Sequence, residues 1–249
     1  MTAPALLYLA VALLSVGAGF LTATIGFGGA VFLMQFFPLL LPFLNASSLS
    51  SIIVYAGILV LAWQYRRHVM WGEVWLPSLL YVLSGVPAVF FAGMLDTQKL
   101  KLCFAVFLVL LGLYNLCNVL RAGGFRLPRR RAVGAACSVL SGIGTGMFGI
   151  GGPPMALYFL SVAGDDKEAY IGTIQVFFGI SMLFTISARF ASGAMPVELV
   201  PLALLGMGTS LAGKYLGTRL VTHINVNVMK LCVCLFMVFS GVVTIAGCI

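Results

Sequence analysis

The sequence predicts an all-α polytopic membrane protein: two homologous helical repeats in inverted orientation, each a glycine-broken helix or re-entrant hairpin followed by three transmembrane helices. Three observations carry this expectation: sparse charge, apolar runs of membrane-crossing length, and a G-x-G-G string that recurs at a fixed offset. Of 249 residues, 61% are hydrophobic and 8% are charged, with a mean hydropathy of +1.12. Soluble domains carry about 25% charged residues, so lipid rather than water must face most of the exterior. The net charge of +8 does not point to nucleic acid, because the 14 Lys and Arg residues sit in short gaps between apolar runs. Such placement is a topology signal.

The apolar runs have the roughly 20 residues needed to cross about 30 Å of hydrocarbon. Uninterrupted spans cover Ser47 to Tyr65, Trp75 to Leu95, Leu100 to Leu120, Glu168 to Ala188, Val197 to Leu216, and Asn227 to Cys248. The stretch from Ala3 to Ile25 lacks the basic start and small-residue cleavage site of a signal peptide and is read as retained. Cys103, Cys117, Cys137, Cys232, Cys234 and Cys248 all lie in apolar runs without a C-x-x-C, which suits packing rather than disulfide or metal chemistry.

Two regions, Ala3 to Leu44 and Ala132 to Ala163, are interrupted by glycine clusters, and these clusters are related by an offset of 123. Gly19 falls on Gly142, Thr22 on Thr145, Gly26 on Gly149, Gly28 on Gly151 and Gly29 on Gly152. Ala46 and Arg66 fall on Ala169 and Arg189 in the same register. At offset 129, Lys101, Leu102, Cys103 and Gly112 fall on Lys230, Leu231, Cys232 and Gly241. The chain thus divides into a first membrane repeat, 1–120, a basic connecting loop, 121–131, and a second repeat, 132–249. Tight helix packing is the plain alternative for the glycines. It leaves unexplained both the recurrence of the whole string and Pro153-Pro154, which would strip donors from an unbroken helix.

The positive-inside rule separates two topologies. If each glycine-broken region crosses once, Arg66, Arg67, Arg121, Arg126, Arg129, Arg130, Arg131 and Arg189 lie inside, against Lys99, Lys101, Lys167, Lys214, Arg219 and Lys230 outside. That division is eight to six. If each region folds back to its own side, Lys99, Lys101 and Arg189 are left outside and the division becomes eleven to three. The fold-back also inverts the halves, a plan common among secondary transporters. Met155 to Ala163 supplies only nine residues, about 14 Å of helix, so the break would sit deep in the protein.

Irregular backbone at membrane depth must line protein or a water-filled path. A helix starting after Gly29 or Gly152 aims unpaired N–H groups and its positive dipole end into that path, where an oxyanion fits. Gly26-Phe27-Gly28-Gly29 in the first half and Gly149-Ile150-Gly151-Gly152-Pro153-Pro154 in the second resemble the sulfite exporter TauE/SafE family, also called TSUP, the 4-toluene sulfonate uptake permease family. The duplicated layout matches over nearly the whole chain. The resemblance implies export of sulfite, organosulfonates or related small sulfur anions, with substrate close to the paired motifs; no cofactor is expected. The expected location is integral to a membrane, the inner membrane of a prokaryote, with the lipid bilayer and a second copy in a homodimer as expected partners. Ala30 and Val31 stand where the second half has prolines, a departure that argues against equal contributions from the halves.

Thr22 and Thr145 precede the breaks by one turn, where their hydroxyls extend an anion site or bond their own helix backbone. Ser50, Ser51, Thr173 and Gln175 follow the breaks in each half, and Gln175 stands out because an amide inside a span needs a partner. The site set is therefore Thr22, Gly26, Phe27, Gly28, Gly29, Ser50, Ser51, Thr145, Gly149, Ile150, Gly151, Gly152, Pro153, Thr173 and Gln175. Lys214, near the end of an apolar run, reads as snorkelling to the interface. Arg66 and Arg189 occupy matching helix ends, as topology residues or anion attractors. His68 and His223 have no second ligand group, so no metal is expected. Glu73, Asp96, Asp165, Asp166, Glu168 and Glu198 lie in loops or at segment ends, leaving no mid-membrane carboxylate for a proton relay. A membrane-embedded enzyme would need a nucleophile with a base, or a metal set; none is placed at depth. An anion channel, or a carrier for another small carboxylate or oxyanion, remains the alternative.

Overall fold

The computed structural model describes residues 3–25, 28–120, 128–164, 166–220, 231, 235, 237–239 and 241–246. The described elements are helical: α1 (Ala3–Ile25), α2 (Gly29–Leu40), α3 (Phe43–Gln64), α4 (Trp75–Met94), α5 (Thr97–Leu120), α6 (Arg131–Phe148), α7 (Gly152–Ala163), α8 (Lys167–Ala191) and α9 (Val200–Leu220). Six of these segments are long and apolar enough to cross a membrane, while α2 and α7 are apolar but only 12 residues long. Large apolar side chains remain exposed on the crossing helices, among them Leu79 and Leu83 on α4, Leu110 on α5 and Leu204 on α9. On a soluble protein such a surface would aggregate; in a bilayer it meets lipid.

Each glycine-broken region folds back on itself. Arg129 Nε, just before α6, donates to the Ser161 carbonyl near the end of α7 (2.6 Å), so α7 returns to where α6 begins. In the first region a methyl added at Gly29 would lie 2.3 Å from Thr22 Oγ1 and 2.8 Å from the Ala18 carbonyl, and Gly17 abuts the Phe32 ring. A methyl at Gly151 would meet Thr145 Oγ1 and the Ser141 carbonyl, each at 2.1 Å. Ser141 and Thr145 match Ala18 and Thr22 at offset 123, yet Gly151 matches Gly29 at 122. The two turns therefore differ by one residue.

Packing follows from small residues. Gly19 and Gly213 bring α1 and α9 into backbone contact, since a methyl would lie 1.9 Å from the Ser210 carbonyl or 2.0 Å from that of Val16. Gly142 and Gly146 do the same for α6 against α4, facing the Tyr81 and Gly85 carbonyls. Such approach is how membrane helices gain contact without a hydrophobic drive. Helices α3 and α8 pack together in the middle, with α9 also against α3 and α4 against α8. One core gathers Leu33, Phe37, Phe43, Leu49 and Phe148, and a second Tyr81, Phe159, Phe177 and Phe178.

At one end of the bundle, His68 Nε2 pairs with Glu168 Oε2 (3.0 Å), and Met70 N donates to Thr173 Oγ1 (3.0 Å), tying the α3–α4 connection to the start of α8. Trp71 and Trp75 stack there, as interfacial aromatics do. Part of the expected last span, with the repeat partners Lys230 and Cys232, lies outside the described residues, as do most of the basic loop, Asp165 and His223.

Candidate functional site

The two fold-backs converge on one cavity. Its lining takes Thr22, Gly28, Gly29 and Ala30 from the first, and Thr145, Gly149, Gly151 and Gly152 from the second. Helix α3 adds Val54 and Ile58, and α8 adds Ile174, Gln175, Phe178 and Met182. The space between these atoms, counted out through its open mouth, is about 620 Å³. Val54 and Ile58 lie mid-way along α3, and residues 174–182 mid-way along α8, so the cavity is far from either end of the long helices.

The glycines make this convergence possible. Gly28 and Gly149 hold φ of +102° and +75°, the left-handed region that side chains with a Cβ avoid. Gly29 and Gly151 sit against the preceding helix with no room for a methyl, whereas a methyl at Gly152 would meet nothing within 4 Å. Neither α2 nor α7 has a side-chain cap at its start. In α2 the first helical bond runs from Phe32 N to Gly28 O (2.9 Å), leaving the N–H groups of Gly29, Ala30 and Val31 ahead of it. In α7, Pro153 and Pro154 have no donor, so Gly151 and Gly152 supply the N–H groups at the break.

Gln175 is 6% exposed, lines this cavity, and its Oε1 has no hydrogen-bond partner. A buried amide oxygen without a partner is costly unless a donor completes it. Thr22 lines the cavity but spends its hydroxyl on the Ala18 carbonyl of its own helix (2.8 Å). Thr145, 2% exposed, lines it from α6.

Other expected site residues stand behind this wall. Ser50 Oγ reaches the Ala30 carbonyl at 3.4 Å, and Ser51 Oγ donates to the Ser47 carbonyl beside Gly149. Ile150 is core, with its N–H on the Gly144 carbonyl (3.3 Å). Pro153 is buried at the start of α7, and Thr173 points to the α3–α4 connection. Gly26 and Phe27 lie outside the described residues.

Two charged residues depart from their expected places. Lys214 does not snorkel: it is 8% exposed and its Nζ donates to the Gly57 carbonyl of α3 (2.7 Å). Arg189 is 1% exposed rather than at a vestibule. Its Nη1 donates to Ser47 Oγ (2.7 Å) and Ser48 Oγ (3.1 Å), and its Nη2 to the carbonyls of Thr145 (2.6 Å) and Gly146 (3.0 Å). Its repeat partner Arg66 is exposed, donates to the Trp63 carbonyl (2.8 Å) and lies over the Trp63 ring. With Arg189 and Lys214 both buried, neither counts as a loop charge. The fold-back division of cations falls from eleven to three to ten to two.

The sequence matches the model of the family described as sulfite exporter TauE/SafE over residues 11–244. The chain belongs to the sulfite exporter TauE/SafE family. No curated protein and no solved structure shows a significant match to it. Family membership makes this TauE/SafE chain an integral membrane protein of a transporter family, in keeping with its six crossing helices. The match spans both glycine-broken regions and the cavity between them. What the sequence missed in this TauE/SafE protein is mostly apolar: Val54, Ile58, Ile174, Phe178 and Met182. Their signal was helical spacing, since residues 174, 178 and 182 recur every four positions on the face that carries Gln175.

Proposed function

We propose that this protein exports small sulfur-containing anions such as sulfite or organosulfonates, binding them where the two glycine breaks meet. One observation carries the reading: two uncapped helix starts and the Gln175 side-chain amide, whose N–H groups can donate to an anion, line a single cavity. Helix starts favour anions through unpaired N–H groups and the dipole. Charge supports the same sign. Among the described residues the buried charged side chains are Arg189 and Lys214, both cations.

In this reading the halves are inverted. Support comes from exchange of partners: α1, which opens the first half, packs on α9 of the second, while α6, which opens the second, packs on α4 of the first. Gly206, Gly213 and Gly217 of α9 meet Ser15, Val16 and Phe20 of α1 in increasing order, so those two helices run parallel. Following the chain from there, α1 and α6 start from opposite ends of the bundle. Alternating access would then come from rocking one half against the other around the shared cavity.

Purified protein in proteoliposomes, loaded with labelled sulfite, provides the test. Saturable efflux with counterflow is expected of a carrier. Efflux that never saturates indicates a channel, and no flux of sulfite, sulfonates or other small anions sinks the transport reading.

A further inference from the structure

A helix break brings together two opposite poles. The start of α7 offers N–H groups and a positive dipole end, but the end of α6 delivers its last carbonyls and a negative end to the same place, with Gly149 N donating to the Thr145 carbonyl (2.9 Å). Left alone, the α6 carbonyls would repel the anion that the α7 start attracts. Arg189 changes that balance. Its Nη2 takes the carbonyls of Thr145 and Gly146, and Nη1 is held by Ser47 and Ser48 of α3.

None of these partners carries charge. Nε has no partner, and no Asp or Glu is buried among the described residues. The guanidinium is therefore a buried cation neutralised only by dipoles, bonded through a backbone carbonyl to Thr145, which lines the cavity. An unpaired buried charge is expensive. It is retained where something with the opposite charge spends time nearby. The first half has no such group, because Arg66 is exposed and engaged with Trp63.

Building on the anion-transport reading, we propose that Arg189 is the positioning residue of the site, masking the negative end of α6 and supplying the fixed counter-charge for the anion. The second break is then the electrostatically stronger half, and the first completes the cavity.

The test measures sulfite efflux from proteoliposomes for the wild type, Arg189→Lys, Arg189→Gln and Ser48→Asp. Arg189→Gln is expected to raise KM about tenfold with maximal flux changed less than about threefold, the size of one desolvated charge acting at roughly 10 Å. Arg189→Lys should keep KM near the wild-type value. Ser48→Asp leaves Arg189 and its grip on the α6 carbonyls but sets a carboxylate against the guanidinium, so KM should rise as it does for Arg189→Gln. That variant keeps the inference testable if Arg189→Gln does not fold. A KM unchanged in Ser48→Asp, or lowered flux with unchanged KM in both Arg189 variants, overturns the proposal and leaves Arg189 a structural clamp. Absence of sulfite flux in the wild type is a separate result, which strikes the anion-transport reading itself.

Discussion

Gly151 and Gly152 are adjacent, yet a side chain would meet opposite surroundings at the two positions. At Gly151 a methyl collides with backbone of α6, whereas at Gly152 it enters open space on the cavity side. Gly151→Ala is therefore expected to destabilise the fold by about 1–3 kcal/mol, the cost of overpacking. Gly152→Val should leave folded yield and thermal stability in detergent close to wild type while abolishing flux. If Gly152→Val transports normally, the anion does not pass this break. Gln175→Leu preserves side-chain volume but removes the buried amide, and about tenfold weaker sulfite binding is expected from losing a hydrogen bond to a charged ligand. Binding unchanged by Gln175→Leu, measured by scintillation proximity, would remove Gln175 from the site. The sequence singles this residue out because an amide inside a span needs a partner. Thr173 enters the same candidate set, yet it lies two positions away and so faces another direction on a helix turning about 100° per residue; its hydroxyl accepts from Met70 N instead.

The fold-back is a property of paired helices, and it predicts sidedness. In a background with all six cysteines replaced, a membrane-impermeant maleimide should label Arg130→Cys and Lys167→Cys from the same face, because α7 returns to where α6 starts. Val197→Cys, before α9 and 78% exposed, should label from the other face. Arg130→Cys and Lys167→Cys reacting from opposite faces would mean that the second region crosses the membrane once. These elements were legible in the sequence because a break needs glycine and proline, and because cation counts report loop sides. The spans Trp75 to Leu95 and Glu168 to Ala188 correspond closely to α4 and α8. What the residue pattern could not reveal was depth at a helix end. Arg189 stands two residues before the end of α8, which reads as a loop charge, but the adjoining α6 break buries it. Lys214 was misplaced for the same reason, since the Gly57 carbonyl that holds it belongs to a helix distant in sequence.

At the scale of the whole molecule, the charges of the described residues suit the proposed anion export, with no carboxylate among them at mid-membrane to titrate. Carboxylates of the described residues lie near helix ends: Glu73 bonds the Tyr158 hydroxyl, Glu168 pairs with His68, and Asp166 caps the start of α8. Helix starts and a guanidinium offer positive potential at any physiological pH. Movement of a net negative charge out of a negative interior is favoured by about 2.3 kcal/mol per 100 mV, so no second ion has to drive it. Sulfonate efflux from proteoliposomes should therefore accelerate under an imposed potential, negative inside, with pH equal on both sides. A pH gradient alone, with the potential clamped and a sulfonate whose charge does not change, should have little effect. Lys214 gives this prediction its sharpest alternative, being a buried amine held by one backbone carbonyl and close to α1 and α3, which line the cavity. Should efflux follow the pH gradient and ignore potential, Lys214→Met would be expected to abolish that dependence, and potential-driven export would give way to proton coupling through α9.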